Sequence, residues 1–291
     1  MIKGDNLMKK TYALAGIMVL AAVLLFVPVG AQAEMYVEAY LGGNFAASTS
    51  MGMTATHTLG GTVAYENHGI PGQIDPAFMG GLKIGTWFVK EGFLGYNYPD
   101  WMKYFGFYLD FSYHRLDFKN QRMSSMAVDN VPAVFGASII PTNVRNTFFS
   151  EGTAATLAFM FAARYGFLPD SEVPFGRLQP YLAVGPAILF SSQSPRIHSS
   201  RLLAETPAFI NAYSIKPGST SSADICLAVD AGCRYMALKN VSIDLFFKYR
   251  YAAPNYSYSI IDPMYQANPI SFNLNPEYHL FSVQLGAAYH F

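Results

Sequence analysis

Three residues in one short stretch have the types that hydrolytic chemistry needs: an acid, Asp110, a hydroxyl, Ser112, and an imidazole, His114. A base beside a hydroxyl makes it a nucleophile, and a carboxylate orients the base. The spacing argues against that use. Residues two apart on a β-strand stand side by side on one face, so these three read as polar filling. His57, Glu66 and His68 have metal-ligand types, but their irregular spacing predicts no metal site, and nothing in the chain predicts a cofactor. Cys226 and Cys233 share one predicted strand on opposite faces. At about 3.3 Å per residue they are roughly 23 Å apart, beyond disulfide reach.

A larger set of charges keeps one parity within alternating stretches. Glu38, Asp110, Asp224, Asp230 and Asp244 are acidic; Lys83, Arg164, Arg234, Lys248 and Arg250 are basic. Five face five. Matched charges that share an interior can form a closed ion-pair network. An unbalanced ring would instead point to a selective pore.

The elements that must carry these charges follow from composition and period. The chain has 291 residues, 19 Lys+Arg against 19 Asp+Glu, 13% charged, 52% hydrophobic and 15% aromatic residues. Zero net charge argues against a nucleic-acid binder, which needs a basic face. Few charges among many aromatics argue against disorder and favour a membrane protein. Residues 1–33 read as a secretory signal peptide: Lys9 and Lys10, the apolar stretch Tyr12–Val29, then a small-x-small cleavage site at Ala31 and Ala33. Residues 34–291 are then one domain. No later run reaches the roughly 18 apolar residues of a membrane helix, but runs of about ten suit tilted transmembrane strands.

Eight such segments alternate with period two. One begins Val37, Ala39, Leu41; the clearest is Phe105, Phe107, Leu109, Phe111, Tyr113; the last is Phe281, Val283, Leu285, Ala287, Tyr289, Phe291. None of the apolar faces contains a charge. Aromatics gather near segment ends (Phe45, Phe88, Trp101, Tyr104, Tyr165, Phe190, Tyr235, Tyr249, Tyr251), where girdles meet a bilayer. Connections alternate long (46–77, 116–151, 191–222, 252–277) and short, down to the tight turn Ala237–Asn240. That pattern predicts a closed, all-β, antiparallel transmembrane barrel of eight strands with long external loops. The alternation within Ala55–Tyr65 leaves ten strands as the alternative. Pro186, inside a strand with no free edge, predicts a bulge.

The stretches LQPYLAVGPAILF (178–190), VDAGCRY (229–235), VSIDLFFKYRY (241–251) and FSVQLGAAYHF (281–291) resemble small outer-membrane β-barrels similar to the transmembrane domain of outer membrane protein A. The resemblance implies residence in the outer membrane of a Gram-negative-type cell envelope, with outer-membrane lipid around the barrel. It also implies that Val283, Leu285, Ala287, Tyr289 and Phe291 form a C-terminal signal read by the outer-membrane assembly machinery. Full members of that family add a peptidoglycan-binding domain, a tethering role not implied for a chain ending at Phe291. A lipid-modifying enzyme of this shape would need a His/Ser dyad on its lipid face, whereas His279 points outward and Ser282 inward. The expectation is therefore a non-enzymatic barrel with a structural or surface-interaction role, its unknown surface ligand met by the external loops. A narrow, porin-like pore for ions or small solutes is the alternative, and a lipid-modifying enzyme comes third.

Overall fold

The computed structural model describes residues 34–47, 51–59, 62–89, 98–124, 127–129, 144–202, 209–261 and 269–291. The expected leader, with Ala31 and Ala33, lies outside them.

Eight strands cross the molecule in a meander: β1 (Glu34–Ala46), β4 (Ala77–Trp87), β5 (Phe105–Arg115), β8 (Val144–Arg164), β9 (Leu178–Leu202), β11 (Thr220–Leu238), β12 (Val241–Ala252) and β15 (Tyr278–His290). Each is antiparallel to its chain neighbour, and β15 pairs with β1, from Tyr36 opposite His290 to Ala46 opposite Leu280, so the ring closes. Closure leaves the membrane-crossing wall without an unpaired edge, as a bilayer requires. The side-chain period of two then decides everything else. One parity is exposed and greasy: Leu41, Leu109, Phe159, Leu182, Val184, Leu227, Leu245, Val283 and Leu285. The other is buried and carries the charges. An apolar outside around a polar inside inverts a soluble barrel and makes this an integral membrane β-barrel of the outer-membrane type.

Aromatic rings mark both rims of the apolar band. Trp101 packs edge-on against Phe105, and Tyr104 stacks on Tyr165, at the end that holds Glu34 and Phe291. Phe45, Phe190, Tyr249 and Phe281 lie at the other. The end with Glu34 and Phe291 also has the short connections, including the turn at Lys239 and Asn240, the arrangement expected at the periplasmic end of such barrels.

The long connections are not open loops. They build β2 (Met51–Leu59), β3 (Thr62–Ile70), β6 (Phe118–Arg122), β7 (Ala127–Asp129), β10 (Phe209–Ile215), β13 (Tyr256–Ile261) and β14 (Pro269–Asn275). β8 and β9 continue far above the rim, flanked by β6 and β10. Facing that wall is a second sheet in the order β13-β14-β2-β3-β7. The hairpin that alternation suggested within Ala55–Tyr65 exists, but it belongs to this second sheet, and the membrane ring keeps eight strands.

Pro186 corrects the expectation of a bulge. On the β11 side it pairs with Leu227 in unbroken register. On the β8 side, Ala158 opposite Ala187 and Phe161 opposite Val184 share one register, with pairing lapsing only between them. Gly185 is the local remedy. A Cβ there would lie 1.9 Å from the Phe159 carbonyl oxygen, so the strands close up where the proline donor is missing. The register shift in the ring falls instead between Met236 and Leu238, beside the tight turn.

Candidate functional site

The inside of the lower barrel is a stack of ion groups, each electrically neutral. Lowest is a pair. Arg164 Nη1 donates to Glu34 Oε1 at 2.6 Å, and Nη2 donates to Glu34 Oε2. The same guanidinium donates to Gln179 Oε1 at 3.0 Å and lies between the rings of Trp87 and Phe175, at 4.1 and 4.2 Å from their centroids. A fork-on-fork bond between two aromatic faces uses what distinguishes arginine from lysine.

Above it sit two acids and two bases. Glu38 is 3.1 Å from Lys83 Nζ and accepts from Arg234 at 2.7 Å; Arg234 is also 3.3 Å from Asp244. Tyr181 donates to Asp244 at 2.9 Å, while Lys83 rests 3.2 Å from the centre of the Phe246 ring. The third group is again two and two. Asp110 Oδ2 accepts from Lys248 at 2.5 Å and Arg250 at 2.8 Å, and its Oδ1 from Tyr40 at 2.5 Å. Asp230 accepts from Arg250 at 2.7 Å and from Tyr108 at 2.8 Å.

Register explains the arrangement. Glu38 faces Lys83 across β1 and β4, Lys83 faces Asp110 across β4 and β5, and Asp230 faces Lys248 while Arg234 faces Asp244 across β11 and β12. Neighbouring strands thus present opposite charges before any side chain turns. Large rings fit among them because glycines face them. A Cβ at Gly81 would meet the Tyr40 hydroxyl at 2.2 Å, and one at Gly232 would meet the Tyr181 ring at 2.8 Å. All four charges of the second group and all four of the third are at most 3% exposed.

The structure gathers nine of the ten charges named from parity into these groups and places one elsewhere. Asp224 has the inward parity but stands higher on β11, half-buried, accepting from Ser222 at 2.6 Å and outside the network. Glu34 takes its place, so the balance remains five against five with different members. Parity carried the signal for Glu34, which shares the face of Glu38, but its position next to the predicted cleavage site hid it.

The other chemical candidates separate. Asp110 is held by cations from β12, whereas His114 Nδ1 lies 2.8 Å from the Arg115 carbonyl oxygen, so the two have different partners. His279 is 2.8 Å from the Tyr249 hydroxyl at the outer aromatic rim, and Ser282 is buried in the lumen. His68 is buried on β3; the side chains of His57 and Glu66 lie outside the described residues. Among the described residues no three His, Cys, Asp or Glu groups gather to hold a metal. Both cysteines are free, Cys226 inside and Cys233 half-buried. Val283, Leu285, Tyr289 and Phe291 all lie exposed on the apolar exterior.

Above the charges the interior changes character. Leu116, Phe118, Met123, Phe148, Leu189 and Ile197 from the extended wall meet Met51, Met53, Ile70, Phe272 and Leu274 from the second sheet in one buried cluster. Tyrosines stitch the two sheets: Tyr256 donates to Ser191 Oγ at 2.6 Å and Tyr258 to the Gln193 carbonyl at 3.2 Å. This is a sandwich-like head of the kind soluble domains use, seated on the mouth of the barrel. The sequence signal for it was the apolar content of the long connections, which alone could not say what packs on what.

No family model matches the chain, and no curated protein matches it. Among solved structures it is similar to a major outer membrane protein of Thermus thermophilus, at 13% identity and a TM-score of 0.44, covering 89% of this chain and 100% of that one. It is also similar to the outer membrane protein OprG of Pseudomonas aeruginosa, at 14% identity and a TM-score of 0.40, covering 90% and 98%. Neisserial surface protein A follows at 13% identity and 0.33, covering 88% and 97%. The architecture stands on the closed ring itself.

Proposed function

We propose that this outer-membrane barrel neither catalyses nor conducts, and that it presents a folded extracellular head to ligands at the cell surface. The observation that supports this most is the filling of the lumen by three neutral ion groups, with an apolar head over them. An ion entering the second or third group would have to break buried, charge-assisted bonds, and then cross a packed apolar layer. The exposed row Val283, Leu285, Tyr289 and Phe291 fits the reading that the assembly machinery recognises the last strand before β1 and β12 cover its edges. Planar-bilayer recording of the refolded chain tests the sealed lumen, with no stepwise conductance expected. A reproducible conductance that Arg164→Ala or Asp244→Ala abolishes would overturn it. Lipid A from cells with and without the protein should carry the same acyl chains; a difference would establish the enzymatic alternative.

A further inference from the structure

Above the outer aromatic rim the basic residues are confined to one side of the molecule. Residues 34–82 and 251–291, which supply β1, β2, β3, β13, β14 and β15, contain no Lys or Arg. The described basic groups at that end stand instead on the outward face of the raised wall. They are Arg115 at the end of β5, Lys119 and Arg122 on β6, Arg196 and His198 on β9, and Lys216 just after β10, all exposed or half-exposed. Register carries one row from Arg122 through Thr147 and His198 to Ser214, and a row nearer the rim sets Phe149 opposite Arg196. β6 and β10 end this sheet, so the rows stop there. Phe149 holds two of the basic groups in place: His198 stacks on its ring at 5.5 Å, and the Arg196 guanidinium lies 5.4 Å from its centroid. Three carboxylates accompany them. Asp117 is 2.7 Å from Arg115, Glu151 is 3.5 Å from Arg196 and Asp75 is 3.9 Å from Lys119. Among the described residues Arg122 and Lys216 meet no carboxylate. The face keeps an excess of positive charge.

Height selects the partner. Tyr113, Ala155 and Phe190 align at the rim, with Arg115 two residues beyond Tyr113, Arg196 six beyond Phe190 and His198 eight beyond it. At about 3.3 Å per residue along strands tilted by about 40°, those three stand about 5, 15 and 20 Å above the rim. A phospholipid headgroup layer adds only about 5–8 Å on each side of the hydrocarbon core. It reaches Arg115 and leaves Arg196, His198 and Arg122 above it. A glycolipid with phosphates at its base and further anionic groups on the sugars above meets the whole series. Basic clusters beside a membrane attract anionic headgroups, and the arginine fork binds phosphate through two parallel bonds. A soluble polyanion would have to displace the headgroups that already surround the wall. We propose that the outward face of β6, β8, β9 and β10 binds an anionic, phosphorylated glycolipid of the outer leaflet. A conducting lumen, or a head without a ligand, would leave this site untouched.

The test uses the full chain refolded in uncharged detergent micelles, with rough lipopolysaccharide as the probe. The same lipid stripped of its phosphates, phosphatidylglycerol and heparin are the comparisons. Saturable binding of the lipopolysaccharide is expected, at least tenfold tighter than that of the phosphate-free lipid or phosphatidylglycerol, and weakened by added salt. The double variant Arg122→Gln/Lys216→Gln should weaken it at least fivefold, and Arg196→Gln, a second probe of the same face, should weaken it too. Lys103→Gln/Lys239→Gln removes the same charge from exposed positions at the end with Glu34 and Phe291, and should bind as the parent does. Heat-modifiable migration on gels confirms that each variant is folded. Equal affinity for the phosphate-free lipid or phosphatidylglycerol, equal losses in the two double variants, or binding of heparin without lipopolysaccharide would each overturn the proposal.

Discussion

The two halves of the interior solve one problem, filling a space inside a closed wall, with opposite chemistry. Within the bilayer the wall must show apolar side chains outward, and the inward parity carries small and charged residues such as Gly81, Lys83, Asp110 and Asp230, with rings such as Tyr40, Tyr108 and Phe246 packed among them. Above the rim the wall has water outside, so β8, β9 and their partners can turn Phe148, Leu189 and Ile197 inward and bury them as a soluble protein would. The difference shows that the environment outside the wall sets the chemistry inside. Charges are tolerable below only because each group closes on itself. The apolar layer above needs no such matching, but it does need a second sheet to complete it.

That contrast predicts different kinds of failure. Asp110→Ala should have the largest effect, because it strips the carboxylate from two buried cations, Lys248 and Arg250. Removing one partner of a buried ion pair costs about 3–5 kcal/mol. The loss should appear as a lower urea midpoint for the whole barrel, read by heat-modifiable migration. An unchanged midpoint would mean that the lower lumen is hydrated and the ion groups contribute little.

Leu274→Ala in the head should cost about 2–5 kcal/mol at its own site, as buried leucine truncations do. Its signature should be local. Limited proteolysis should open β2 and β3 (residues 51–70) while the barrel keeps its urea midpoint. Should both variants lower that midpoint equally, head and barrel form one cooperative unit, and the contrast drawn between them fails. Glu34→Gln comes next. Its carboxylate is a quarter exposed and pairs with a buried Arg164, so solvent screening should limit the loss to about 1 kcal/mol in the same urea assay.

The same contrast explains what could be read from the sequence. Period two is a property of the strand alone, so the eight membrane segments and the inward face of each charge were legible. Height was not. Asp224 and Asp230 share strand and parity, yet only Asp230 meets Arg250, because tilt and register decide which inward residues reach one level. The head was less legible for a related reason. Its core joins residues from all four long connections, Met53, Phe118, Ile197 and Phe272 among them, and no local pattern announces partners so far apart in sequence. Pro186 misled because its strand was judged alone, without the glycine beside it and the carbonyl across from it.

The smallest expected effect lies outside both halves, on the connection between β8 and β9, and it separates solvent-exposed electrostatics from the buried kind. Asp170 Oδ1 accepts from the backbone N–H of Val173 at 2.7 Å and of Glu172 at 2.9 Å, and Arg177 Nε donates to Oδ2. Those backbone bonds, chiefly that from Val173, and then Arg177, hold the Asp170 carboxyl below its ordinary range. A carboxyl with a depressed folded pKa stabilises the turn above its unfolded value, near 3.9, and the contribution is lost as pH falls through the folded value. Amide exchange at Glu172 and Val173 should therefore rise relative to neighbouring turn residues as pH drops below about 4, and Asp170→Asn should show the faster exchange already at neutral pH. The buried ion groups of the lumen, on the sealed reading proposed above, should leave the barrel wall protected through the same titration. Exchange that rose in the wall and the turn together would show that protons reach the lumen as freely as they reach the turn.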